Sequence, residues 1–260
     1  MKRALLLLAC ISLPSAAQDI DSLQGRFAVS GGVEYSSGKY GGSTTTDILY
    51  VPLTLRYGTN QYAVSLTVPY ISVTSGGGVV PGVGRGSGRM AAVPTVTSRT
   101  TTQSGLGDII ATAGYNIYQQ GNLTLNVVGN VKFGTADENK QLGTGKNDYA
   151  AQVDVFYAYA ASSLYASAGY KVVGVPAGFT LNNVAYGSVG MVRMIGEKSR
   201  IGLTLNAAQS MGPGIEGRRD LAFDVMHGLN EGSFVSAKFS GGLSSSSPDW
   251  LAGLYLSGTL

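Results

Sequence analysis

Few side chains in this sequence could carry out chemistry, and the first is its single histidine, His227. A histidine beside a serine can activate it as a nucleophile, which is the chemistry of a lipid-cleaving barrel enzyme. Along its own strand His227 is flanked on the same face by Val225 and Leu229, with no serine two residues away. It reads as an interfacial histidine, and no catalytic residues are assigned. The run Gly82-Val83-Gly84-Arg85-Gly86-Ser87-Gly88 has the glycine density of a phosphate-binding loop. It lacks the following helix and the βαβ unit that would place amides around a phosphate, so it reads as loop. The only cysteine is Cys10, within the leader, so a mature chain offers no thiolate for a metal site or a nucleophile. Neither metal nor cofactor is expected.

The remaining chemistry-bearing groups are charges, and they fall into a pattern. Glu34, Arg56, Asp108, Lys132, Asp154, Lys171, Arg193, Arg200, Asp224 and Lys238 all lie in segments that alternate apolar and polar residues. Each is assigned to the polar parity; in the segment holding Arg193, that residue itself helps to set the parity. Period-two alternation gives a strand one apolar and one polar face. The hairpin Gly107–Gly134 shows it best, with Ile109, Ala111, Ala113, Tyr115 and Ile117 on one face. After the polar turn Gln119–Asn122, the apolar set resumes with Leu123, Leu125, Val127, Gly129, Val131 and Phe133. Each arm holds about ten residues, enough for a tilted strand to cross a bilayer.

The ends of the chain support export. Lys2 and Arg3, the apolar run Ala4–Leu13 and Ser15-Ala16-Ala17 form a signal peptide over residues 1–17, leaving 18–260 as one domain. A lipoprotein reading of Leu7-Leu8-Ala9-Cys10 would leave an h-region of only a few residues. The formal net charge is +3, two units of which lie in Lys2 and Arg3, so the mature chain is nearly neutral and no nucleic-acid partner is indicated. No apolar run is long enough for a transmembrane helix.

Further alternating segments are Arg26–Tyr35, Ile48–Tyr57, Gln61–Val73, Tyr149–Tyr159, Leu164–Gly174, Val184–Ile195, Arg200–Ser210, Asp220–Leu229, Phe234–Leu243 and Trp250–Leu260. Tight turns alternate with the longer connections Ser36–Thr46, Thr74–Gly105, Thr135–Asp148, Val175–Asn183, Met211–Arg219 and Ser244–Asp249. That alternation predicts an all-β fold: a transmembrane antiparallel up-and-down barrel of about 12 strands, with short periplasmic turns and long extracellular loops. Tyr57, Tyr62, Tyr115, Tyr118, Tyr157 and Tyr159 gather near the short turns. Tyr35, Tyr70, Tyr149, Tyr170, Tyr186 and Trp250 gather towards the long loops, giving the two interfacial belts of such a barrel. The expected location is the outer membrane of a Gram-negative bacterium, with outer-membrane lipid around the wall. The last strand carries Leu254, Leu256 and Leu260 on its lipid face and would address the barrel-assembly machinery, although such signals usually end in Phe.

The segment Gly105-Leu106-Gly107-Asp108, the Val68-Pro69-Tyr70 step and Leu142-Gly143-Thr144-Gly145-Lys146-Asn147-Asp148-Tyr149 resemble motifs of the MetA-type (meta-pathway of phenol degradation) family of outer-membrane proteins. Lys132-Phe133-Gly134-Thr135 stands where that family more often has a Pro-Thr-Gly step. The resemblance implies an exported barrel, often labelled a transporter; its link to phenol is a label by association.

The functional expectation is a narrow channel for small solutes. The alternatives are a closed-lumen barrel whose loops interact at the surface, and a membrane-embedded lipid enzyme. In the assigned lumen, positive groups outnumber negative ones, which leans selectivity towards anionic or neutral polar solutes. The connection Thr74–Gly105 holds Arg85, Arg89 and Arg99 and no acid, and is expected to fold inward as a constriction loop.

Overall fold

The computed structural model describes residues 25–80, 91–212 and 214–260, with 77–80 and 91–99 as backbone alone. The expected signal peptide therefore lies outside the described residues. Among the described residues no helix is long and apolar enough to cross a membrane. The strands are β1 (Arg26–Gly38), β2 (Thr46–Gly58), β3 (Tyr62–Val80), β4 (Ala91–Leu106), β5 (Ile110–Gln120), β6 (Leu123–Lys132) and β7 (Asp148–Tyr159). They continue with β8 (Ser162–Val172), β9 (Val184–Ile195), β10 (Ser199–Ala208), β11 (Arg219–Asn230), β12 (Ser233–Gly242) and β13 (Trp250–Thr259).

Each strand pairs antiparallel with its neighbours, and β1 pairs both β2 and β13, from Ala28↔Thr259 to Ser37↔Trp250, so the sheet closes. Closure is what makes the fold viable in a bilayer, because it leaves no edge of unpaired peptide groups in hydrocarbon. β4 and β5 occupy one strand position. β3 pairs β5 over Tyr62–Thr67 and pairs β4 above Tyr70, so the two are stacked halves of one descending strand. The barrel thus has twelve strand positions. Tight connections at one end use left-handed residues, such as Gly121 (φ 58°) between β5 and β6 and Gly232 (φ 90°) between β11 and β12. Leu53, Leu55, Leu203, Phe223 and Leu254 are exposed on the outer face, while Ile71, Asn126, Asp154 and Arg200 are buried on the inner one.

The structure changes three expectations. The segment Thr74–Gly105 is not an irregular loop: β3 and β4 continue as a ladder from Tyr70↔Leu106 to Val80↔Ala91, with bulges after Ser75. Arg85 and Arg89 lie outside the described residues, as does the side chain of Arg99. Above the membrane a hairpin has no lipid face, so its residues show no apolar alternation to read. Second, Tyr186 belongs to the interior and not to the outer belt; it is buried and its hydroxyl donates to Gln152 Oε1 at 3.0 Å. Third, Arg193 is exposed on the same parity as Met191 and Ile195, facing outward. β9 places Val184, Tyr186 and Val192 inside and Val189 and Met191 outside, so both faces are apolar and alternation cannot orient it.

The break between β4 and β5 has a specific cause. In an antiparallel strand a residue directs its N–H and C=O to the same neighbour. Pro69 O accepts the Gly107 N–H at 2.9 Å, so its missing N–H would have been spent on that same side. Thr135 supplies the replacement: its hydroxyl lies 3.4 Å from Gly107 O and accepts the Ile109 N–H at 2.9 Å. Thr135→Val, which keeps the shape and removes both bonds, should lower unfolding stability in lipid vesicles by about 1–3 kcal/mol. An unchanged urea midpoint would show that the break needs no such repair.

Candidate functional site

The inner face holds Glu34 (β1), Arg56 (β2), Lys132 (β6), Asp154 (β7), Lys171 (β8), Arg200 (β10), Asp224 (β11) and Lys238 (β12), with Asp108 at the β4–β5 break. The described contacts bind this interior into a network. Tyr255 Oη donates to Glu34 Oε2 at 2.6 Å, and Gln152 Nε2 donates to Asp154 Oδ1 at 2.7 Å. Tyr165 and Thr204 share a hydrogen bond between β8 and β10, and Arg200 lies against Met226 Sδ at 3.6 Å. Lys238 stands opposite Asp224 in the β11–β12 register. Glu34, Asp154, Arg200 and Asp224 are each no more than 3% exposed, so the interior is closely filled at their level.

Glycines on the wall shape this interior. A Cβ on Gly32 would collide with the Tyr255 ring, one on Gly169 with Tyr186, and one on Gly190 with Tyr165. Each tyrosine therefore lies against a glycine of the neighbouring strand, flat on the wall, where a ring held off by a methyl group would stand across the lumen. Gly202 makes the same room for the Asp224 carboxylate.

At the extracellular mouth the connection between β6 and β7, residues 133–147, folds inward. Its two ends meet: a Cβ on Gly134 would lie 2.5 Å from Lys146 N, which makes the segment a compact Ω-type loop. Lys132 ties it down. Its Nζ donates to Asp108 Oδ2 at 2.7 Å and to Lys146 O at 2.9 Å, with Asp148 Oδ2 at 3.6 Å. Asp108 Oδ1 accepts the Ala136 N–H at 2.9 Å, and Asp148 Oδ1 accepts the Gly174 N–H at 2.9 Å. Gly143 passes so close to Asp108 that a Cβ would stand 2.9 Å from its carboxylate. The side chains in the middle of the loop are seated by apolar contact. Leu142 and Ala136 pack with Tyr40, Ile48, Tyr50, Ile71 and Val73, and Leu142 is fully buried.

The outer face carries one pair that the reading along single strands missed. Ser199 on β10 lies across from His227 on β11, with Oγ 2.8 Å from Nδ1. The signal was available only from the pairing of two strands, since the residues are far apart in sequence. Among the described residues no carboxylate or amide side chain is hydrogen-bonded to the imidazole, and the nearby Gly228 N–H is spent on Lys198 O.

A family model described as "Putative MetA-pathway of phenol degradation" matches residues 17–260. The chain belongs to that family. Two of the three motifs that carry the MetA-type resemblance, around Asp108 and around Leu142–Tyr149, meet in space at the Lys132 node. No curated protein matches the sequence. Among solved structures the MetA-type barrel is similar to the COG4313 outer membrane channel from Pseudomonas putida F1, with a TM-score of 0.70 at 9% identity, covering 91% of this chain and 96% of that one. It is also similar to the NanC porin (TM-score 0.53, 12% identity, 89% and 97% covered) and the KdgM porin (0.53, 8%, 90% and 99%). At these identities the likeness shows the fold, an outer-membrane barrel.

Replacing Lys132 by Met leaves Asp108 and Asp148 buried without their shared cation, a change that costs about 3–5 kcal/mol in buried pairs. The loop should loosen first, so trypsin should cut the folded variant at Lys140 or Lys146 faster than the native barrel. Equal cleavage rates would show that the node does not hold the loop.

Proposed function

We propose that the barrel is a narrow diffusion channel for small solutes of little net charge, whose outer mouth is set by the loop 133–147. The observation that carries this reading is a polar interior enclosed by a complete twelve-position barrel and covered at one end by a loop held partly by a leucine. Barrels of eight strands are filled by side chains and those of sixteen hold wide aqueous pores, so twelve suits a slim path. The wall surplus of positive charge that would favour anions loses its basis. Arg193 faces outward, and Asp148 and Asp220 are buried at the mouth, where Asp220 pairs with Arg218 at 2.6 Å. The constriction assigned from sequence to Arg85, Arg89 and Arg99 passes in this reading to Leu142 and its neighbours.

A second reading, a closed barrel whose loops act at the surface, is favoured by the near-complete burial of Glu34, Asp154, Arg200 and Asp224. A non-enzymatic role in the outer membrane of a Gram-negative bacterium, after removal of the leader, accords with both. Planar-bilayer recording separates them. The channel should give small discrete steps with a reversal potential near zero under a salt gradient, and Leu142→Ser should lengthen the open dwell times. Silence of both proteins at every voltage would favour the closed barrel, and a strong preference for either ion sign would overturn the charge-matched lumen.

A further inference from the structure

The outer face of the barrel holds a polar island at its periplasmic rim. Arg193 is exposed on the lipid-facing parity of β9, three residues before the turn at Gly196. At roughly 3.3 Å per residue its Cα is about 7 Å from the end of the strand, within reach of the headgroup level for a long side chain. Arg193 stands directly across from Ser162 of β8. Ser199, across from Ile195, is its diagonal neighbour on the same face, close enough to share a contact with a long side chain. Ser199 is in turn hydrogen-bonded to His227.

Two features say that this island is built to meet an anion. Among the described residues no carboxylate lies within ion-pair distance of Arg193, although it sits on a face where a bare charge is unfavourable. The Ser199–His227 pair also has a donor to spare. A hydroxyl and a neutral imidazole bring two protons and spend one on their mutual bond, whichever tautomer is present. The periplasmic turns Thr59–Gln61, Gly121–Asn122 and Ala160–Ala161 carry no charge, while Arg26 stands at the start of β1 and Glu231 in the β11–β12 turn. The neighbouring turn adds Lys198, balanced by Glu197.

We infer that Arg193, Ser199 and His227, with Ser162 beside them, bind the phosphodiester of a phospholipid in the periplasmic leaflet. The guanidinium supplies charge and two parallel donors, the serine–histidine pair supplies a third, and the flanking Tyr159 and Ile195 contact the glycerol and upper acyl chain. This inference depends on the orientation of the barrel and not on whether its lumen conducts.

Native mass spectrometry of the refolded full barrel in detergent tests it, with phosphatidylglycerol as the probe and diacylglycerol of the same chains as the control. The native barrel and Lys140→Gln, altered in the extracellular loop, should retain phosphatidylglycerol and lose diacylglycerol. Arg193→Gln should retain about fivefold less phosphatidylglycerol, the loss expected for one basic side chain at a lipid surface. Ser199→Ala and His227→Ala should each fall between. Equal retention by Arg193→Gln would overturn the site, as would diacylglycerol held as well as phosphatidylglycerol, which would mean acyl contact only. Displacement of the lipid by equimolar inorganic phosphate would assign the island to the free anion instead.

Discussion

In hydrocarbon a peptide group without a hydrogen-bond partner costs several kcal/mol, and everything in this barrel follows from meeting that demand. Most of the wall meets it with an ordinary antiparallel ladder. Among its interruptions, the β4–β5 break lies where Pro69 has no N–H to offer the strand beside it and three residues, Gly107 to Ile109, face two. The repair comes from the loop after β6. Thr135 serves Gly107 and Ile109, Phe133 N–H donates to Ile109 O at 2.8 Å, and Asp108, freed from the ladder, turns inward to Lys132. The loop at the mouth is therefore also part of the wall. Its position is fixed by a backbone requirement before any function is considered.

The interior obeys a second constraint, that bulky polar groups must be accommodated without standing in the way. Tyrosine rings laid over glycines at Gly32, Gly169 and Gly190 achieve this on successive parts of the wall. The glycines weaken local strand propensity, and the rings above them restore contact between strands. Their hydroxyls then reach Glu34, Gln152 and Thr204, so each ring both stiffens the wall and satisfies a polar partner. Tyrosine and amide side chains thus replace part of the water that charged groups in the lumen have lost.

The strand plan was legible because a membrane wall writes its two faces into the sequence at every second residue. Where the faces differ, as in β2, β6 and β11, parity can be read directly. It failed in β9, where Tyr186 packs inside against Gln152 and Val192 against Phe156 and Tyr165 while Val189 and Met191 face lipid, and a single arginine tipped the choice the wrong way. It failed again above the membrane, where the β3–β4 hairpin has no apolar face to betray it. The mouth was legible only as motif. Gly107-Asp108 and the Leu142–Tyr149 segment marked the right residues, but nothing in their spacing says that Lys132 joins them. The Ser199–His227 pair is cross-strand and far apart in sequence, so it becomes visible only once the register of β10 and β11 is known.

In the proposed channel the mouth would open where the loop is held least. Its ends are pinned by the Lys132 node and by Thr135, and moving them would expose buried charge and reopen the break in the wall. Its middle rests on Leu142 seated among Ile48, Tyr50, Ile71 and Val73, an apolar contact with no directional bond. Withdrawing a leucine side chain into water costs about 1.5–3 kcal/mol. That corresponds to an open population between about one in ten and one in a hundred. Losing the node costs more than that, so an opening that required it would be rarer still. In the proposed channel the part held least is therefore Leu142, and the charged node is the part that stays fixed.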